Sequence, residues 1–174
     1  MKTLQLNSKG PDVLFMQYLI GHPTLDADFG PKTEKDLILW QSSHGLKPDG
    51  QCGDKTWKKL LEYRKPASKE ELEKLAKELG CEYAALKAIT EVESGGKGGF
   101  TKEGRPIALH EGHIFWKYIK LYGGTPDNKG NEDILYPNWT KEYYKTGDAE
   151  YELIDRAFKL NTKAALESSS LGMF

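Results

Sequence analysis

Two glutamates near the middle of this sequence fall on different sides of one helix. Ala85, Leu86, Ile89 and Val92 recur at the three-and-four spacing of an amphipathic helix over 82–93. Glu93 lies four residues after Ile89 and seven after Leu86, in line with that stripe. Glu91 lies four after Lys87 and reads as half of a surface ion pair. The difference matters because burial disfavours an ionised carboxyl, lifting its pKa from about 4.3 toward 6 or higher. A glutamate held protonated near neutrality is the general acid that glycosidic bond cleavage requires. The same spacing also fits a glutamate at the rim of a core, reaching water.

Other chemistry is less well supplied. His110-Glu111-Gly112-His113 places two histidines three apart, which is not the HExxH pattern of a zinc protease, and no metal is expected. Ser168-Ser169-Ser170 has no activating base suggested nearby, and no phosphate-binding glycine loop occurs. Glu103, flanked by glycine, reads as solvated. Between Tyr118 and Tyr151 lie Tyr122, Tyr136, Trp139, Tyr143 and Tyr144. Such rings either bury a small core or stack on sugars while their polar tips reach hydroxyls.

Helices must position these groups. Leu72, Leu75, Ala76 and Leu79 predict a helix over 70–79, opened by the capping box Ser68-Lys69-Glu70-Glu71 and stopped by Gly80. Upstream, Asp26-x-x-x-Gly30-x-Lys32-Thr33 repeats as Asp49-x-x-x-Gly53-x-Lys55-Thr56. Each copy reads as a turn feeding a helix, with Gly30 and Gly53 at the caps, Pro31 at a first helical position, and Leu37 and Leu60 facing inward. With a helix over 12–20, this makes a three-helix unit whose core has room for Trp40 and Trp57. The seam falls at 64–68, where Pro66 ends one helical stretch. The expected division is 1–64, a linker over 65–68, and 69–174.

Composition sets the outer limits. The 174 residues carry 25 basic and 26 acidic side chains, which leaves no basic excess for a nucleic-acid partner. No apolar run approaches the ~20 residues of a membrane span, so no membrane insertion is expected. Cys52 and Cys81 read as reduced thiols. The start, MKTLQLNSKG, has no apolar stretch of a secretion signal, so export by that route is not expected.

The first segment resembles the peptidoglycan-binding domain found at one end of many cell-wall hydrolases. The resemblance is carried by Leu6-Asn7-Ser8-Lys9-Gly10 with Val13, Gln17 and Leu19, by Asp28-Phe29-Gly30-Pro31-x-Thr33, and by Trp40-Gln41-x-x-x-Gly45-Leu46-x-x-Asp49-Gly50 with Gly53-x-x-Thr56-Trp57-x-x-Leu60. The second segment resembles the N-acetylmuramidase domain of phage endolysins. It does so through Ala88-Ile89-x-x-Val92-Glu93-Ser94-Gly95-Gly96, Gly104-Arg105-Pro106-x-x-Leu109-x-Glu111-x-His113-x-Phe115, Gly147-x-x-Glu150-Tyr151-x-Leu153 and Ser168-x-Ser170-x-Gly172-x-Phe174.

The resemblance implies a mainly α, two-domain protein: a small three-helix wall-binding unit followed by a lysozyme-like helical domain. It implies cleavage of the β-1,4 bond from N-acetylmuramic acid to N-acetylglucosamine in peptidoglycan, by a monomer without cofactors. The implied site residues are Glu93 as acid, Glu111 as a second carboxylate, and Ser94, His113, Tyr151 and Ser170 against the sugar. Asp28, Phe29 and Asp49 are the implied wall anchors. A lytic transglycosylase, or a wall-binding protein without catalysis, fits the same residues. The family pattern continues beyond its last block here, and Leu171 stands where it has Trp. On the resemblance, the C-terminal part of the domain is expected to be missing and activity to be weak or lost.

Overall fold

The computed structural model describes residues 1–62, 68–93, 99–102 and 104–172, and for Glu93 the backbone alone. In chain order the elements are α1 (Pro11–Leu19), α2 (Pro31–Ser43), α3 (Asp54–Leu61), α4 (Lys69–Leu79), α5 (Tyr83–Glu93), β1 (Ala108–His110), α6 (Gly112–Leu121), α7 (Asp148–Leu160), α8 (Thr162–Glu167) and β2 (Ser169–Leu171). The architecture is mainly α, as expected. The only ladder among the described residues is β1 against β2, antiparallel, with Leu109 opposite Ser170.

Local signals placed most helix ends. Pro31 opens α2 behind Gly30, and Gly53 precedes α3. Ser68 caps α4 through a reciprocal box with Glu71, and Gly80 closes the helix in the left-handed region. Lys87 and Glu91 pair across one turn of α5 at 3.6 Å. Both cysteines are free thiols.

The sequence repeat is also a repeat of hydrogen bonds. Buried Gln17 donates Nε2–H to Asp26 Oδ1 at 2.8 Å and accepts the Ala27 N–H at 3.0 Å. Buried Gln41 does the same in the second copy, donating to Asp49 Oδ1 at 3.2 Å and accepting the Gly50 N–H at 3.0 Å. Each Nε2 also reaches a turn carbonyl and the repeat's threonine hydroxyl. One side chain therefore ties a whole turn to the helix before it. Gln41→Leu keeps the volume but strands the buried Gly50 N–H and unties the turn, and is expected to cost about 3 kcal/mol in urea unfolding.

Two apolar clusters lie side by side. Leu4, Val13, Phe15, Phe29, Leu37, Trp57 and Leu60 form the first, and Phe100 packs on its edge from beyond the seam. Phe115, Ile134, Ile154, Ala157, Ala164 and neighbours form the second, which also takes Leu14 and Ala27 from the first 62 residues. The first unit thus buries part of itself against the second, which the expected linker division did not anticipate. Of that linker, residues 65–67 lie outside the described residues.

The apolar stripe of α5 departs from expectation. α5 packs chiefly on α4, while Ile89 is 60% and Val92 76% exposed. A helical period says which residues share a face, not that another element covers it.

Candidate active site

Glu111 stands between β1 and α6, where its backbone is held from both sides. Its N–H donates to the Ser168 carbonyl at 2.9 Å, and its own carbonyl accepts the N–H groups of Ile114 and Phe115 at 2.9 Å each. The half-buried side chain lies near Tyr136 and Tyr144. Burial raises both phenols above their ordinary pKa, and the Glu111 charge adds to the rise in each. Among the described residues no hydrogen bond engages the Glu111 carboxylate.

His113 lies in the first turn of α6 and stacks on Tyr136, with ring centroids 6.4 Å apart. Its Nδ1 is buried and has no hydrogen-bond partner. That nitrogen is open to a ligand, because an unpaired buried ring nitrogen is costly. Tyr136 in turn packs on Tyr143 at 5.1 Å. Trp139, 60% exposed, lies close to Tyr144. Gly112 makes this packing possible, since a Cβ there would sit 2.3 Å from the Tyr136 ring and 2.8 Å from the Ile134 carbonyl. Glu111, His113 and four aromatic rings therefore converge.

Behind Glu111 lies a polar support. His110 donates Nε2–H to the Ile134 carbonyl at 2.8 Å, so its Nδ1 accepts from the Ser169 hydroxyl at 3.1 Å. A carbonyl can only accept, and that fixes the neutral tautomer. Burial accordingly holds the imidazole below its ordinary pKa of 6.5. The unfolded chain takes up a proton below that value while the folded chain resists it. Stability from this group is complete above pH 6.5 and lost as the pH falls, by at most about 1.4 kcal/mol per unit. Thermal midpoints between pH 7.5 and 5 should show this loss, with a flatter profile for His110→Gln.

Tyr151 is 3% exposed, donates its hydroxyl to the Pro106 carbonyl at 3.0 Å, and is covered by the Arg105 guanidinium. It is a core residue with no face left for a sugar. Its place on the buried side of α7 explains this. Ser170 is exposed on β2, beside Leu109. Ser94 and the Glu93 side chain lie outside the described residues.

In the first unit Phe29 is fully buried, so its aromatic ring serves the core instead of the wall. Asp28 pairs with Lys9 at 2.7 Å on the surface. Asp49 lines a cleft of about 280 Å³ together with Lys47, Gln51, Asp54 and Lys55. Hydrogen bonds from Gln51 N–H and Gln41 hold the Asp49 carboxyl below its ordinary pKa. Gln41, Glu150 and Arg105 stand in the sequence blocks quoted above without an assigned role, and the structure shows them positioning these groups.

Comparison with known proteins matches two parts of the chain separately. A family model described as N-acetylmuramidase matches residues 82–174, and one described as "Putative peptidoglycan binding domain" matches residues 5–60. Among solved structures, the endolysin of Burkholderia AP3 phage is similar at 31% identity and a TM-score of 0.53, over 98% of this chain. The chain spans 66% of the length of that endolysin. Among proteins with curated descriptions, none matches significantly. The chain belongs to the N-acetylmuramidase family and has the arrangement of a phage-type endolysin, with a peptidoglycan-binding domain ahead of the muramidase domain.

Proposed function

We propose that this protein is a bacterial cell-wall lytic enzyme that binds peptidoglycan through its first unit and hydrolyses the glycan strand with its second. The bond cleaved is the β-1,4 link from N-acetylmuramic acid to N-acetylglucosamine. The observation that carries the reading is the convergence of Glu111, His113 and the Tyr136, Trp139, Tyr143 and Tyr144 rings in a domain of muramidase type. Ring faces bind pyranose faces, and the unpaired His113 nitrogen suits a hydroxyl or acetamido group.

Glu93 protonates the leaving glycosidic oxygen while Glu111 orients or deprotonates the attacking water. The Asp49 cleft, with charges of both signs, is the anchoring surface that best fits the first unit. The test is digestion of purified peptidoglycan followed by mass spectrometry of the products. Hydrolysis leaves a reducing N-acetylmuramic acid. An anhydro sugar in its place would make the protein a lytic transglycosylase, and binding without products would leave a wall-binding protein alone.

A further inference from the structure

Phe100 and Arg105, on the chain leading into β1 and one side of the proposed catalytic cleft, reach back to the wall-binding unit, beside anchors in the second unit that include the Arg105–Asp148 ion pair. Phe100 packs on Phe15 of α1, with ring centroids 6.2 Å apart, at the edge of the first apolar cluster. Five residues later, Arg105 reaches the same helix and donates Nη2–H to Asp12 Oδ2 at 2.9 Å. The pair is enclosed, with side-chain exposures of 14% and 2%. Arg105 also lies over the Tyr151 ring, 4.6 Å from its centroid, and Tyr151 holds the next residue through the Pro106 carbonyl.

Backbone bonds then carry this anchorage forward. Ile107 N–H donates to Gly99 O at 2.7 Å, and Gly172 N–H to Ile107 O at 2.7 Å, so the segment is stitched to the residue that follows β2 immediately before β1 begins. β1 ends at His110, and Glu111 follows. The approach of the two units is close throughout. At Gly10, just before α1, an added Cβ would stand 2.7 Å from Asp155 Oδ1 of α7, and Lys2 pairs with that same carboxylate at 2.7 Å.

Resting on the functional reading above, we infer that Asp12 is a positioning residue for glycan cleavage: it acts through Arg105 to hold Glu111 in place, making the wall-binding unit a structural part of the catalytic cleft. A unit that served only as a tether would need no buried ion pair to its partner. Such a pair is also an expensive choice as mere adhesive, because desolvation offsets much of its attraction. Its geometric strength lies elsewhere. The planar guanidinium fixes direction as well as distance, which suits a strut.

The test compares Asp12→Asn, Arg105→Gln and the double variant in the full chain. Each single change is expected to lower kcat at least tenfold at temperatures where the protein is fully folded, with KM and sedimentation with peptidoglycan unchanged. The double variant, which leaves no buried charge and restores an amide contact, should recover part of kcat. Hydrogen exchange supplies a second reading that needs no activity. In Asp12→Asn the amides of Ile107, His110 and Glu111 should exchange at least tenfold faster, while those within α6 do not change. Uniform acceleration throughout the domain, or kcat within twofold of the parent alongside unchanged protection at those amides, would overturn the inference. If the parent chain releases no glycan product, the functional reading fails, and exchange alone decides whether the strut exists.

Discussion

Glu93→Gln is expected to abolish glycan cleavage, lowering the rate by ~10²–10⁴-fold, while wall binding and the melting temperature change little. The substitution keeps shape and removes the transferable proton. The choice of Glu93 rests on its place as the last residue of α5 and on the block Val92-Glu93-Ser94-Gly95-Gly96, whose resemblance to the muramidase pattern implies the acid role proposed above. Its neighbour supplies the control. Glu91 is exposed and paired with Lys87, so Glu91→Gln removes one surface ion pair worth a few tenths of a kcal/mol and should leave the rate within twofold. Glu111→Gln should be impaired as well, and a larger loss there than at Glu93 would exchange the two roles. Reducing-end assays on purified peptidoglycan, run beside calorimetry of each variant, distinguish these outcomes. Activity surviving Glu93→Gln but not Glu91→Gln would show that the catalytic face of α5 had been misassigned.

What could be read in the sequence was what short-range chemistry determines. The Ser68–Glu71 box, the Gly80 stop, Pro31 behind Gly30 and the doubled turn all act within a few residues, and the structure contains each of them. Long-range partners left no comparable trace. Gln17 precedes Asp26 by nine residues, whereas Gln41 precedes Asp49 by eight, so the two network glutamines fall out of step with the repeat they serve. Arg105 finds Asp12 93 positions away. The exposed stripe of α5 is a different failure. Its periodicity was read correctly, but no periodicity specifies which surface, if any, lies opposite. Tyr151 and Phe29 show the converse, since both sit in motifs suggestive of binding while their burial commits them to packing.

Glu150 sharpens that point, because it satisfies the criterion that singled out Glu93. It lies on one face of α7 with Ile154 and Ala157, four and seven residues on, and it is fully buried. Yet its two oxygens are already occupied. Oε1 accepts the His110 N–H at 2.6 Å and Oε2 accepts the Lys145 N–H at 2.7 Å, fastening β1 and the segment before α7 to the same carboxylate. A carboxylate engaged in this way is an acceptor only, and it is closed to substrate. It marks a structural use of a buried acid, in contrast to a catalytic one. Glu150→Ala leaves both amides without that acceptor and opens a cavity, and is expected to destabilise the protein by about 4 kcal/mol. Glu150→Gln keeps the volume but turns an NH₂ group toward one of the two donors, with an expected loss of about 2–3 kcal/mol. Urea unfolding at neutral pH measures both. Their activity should fall in proportion to the folded fraction, returning toward the parent value at low temperature if Glu150 supports the fold without taking part in the chemistry. Full stability with lost activity would instead place Glu150 among the catalytic groups.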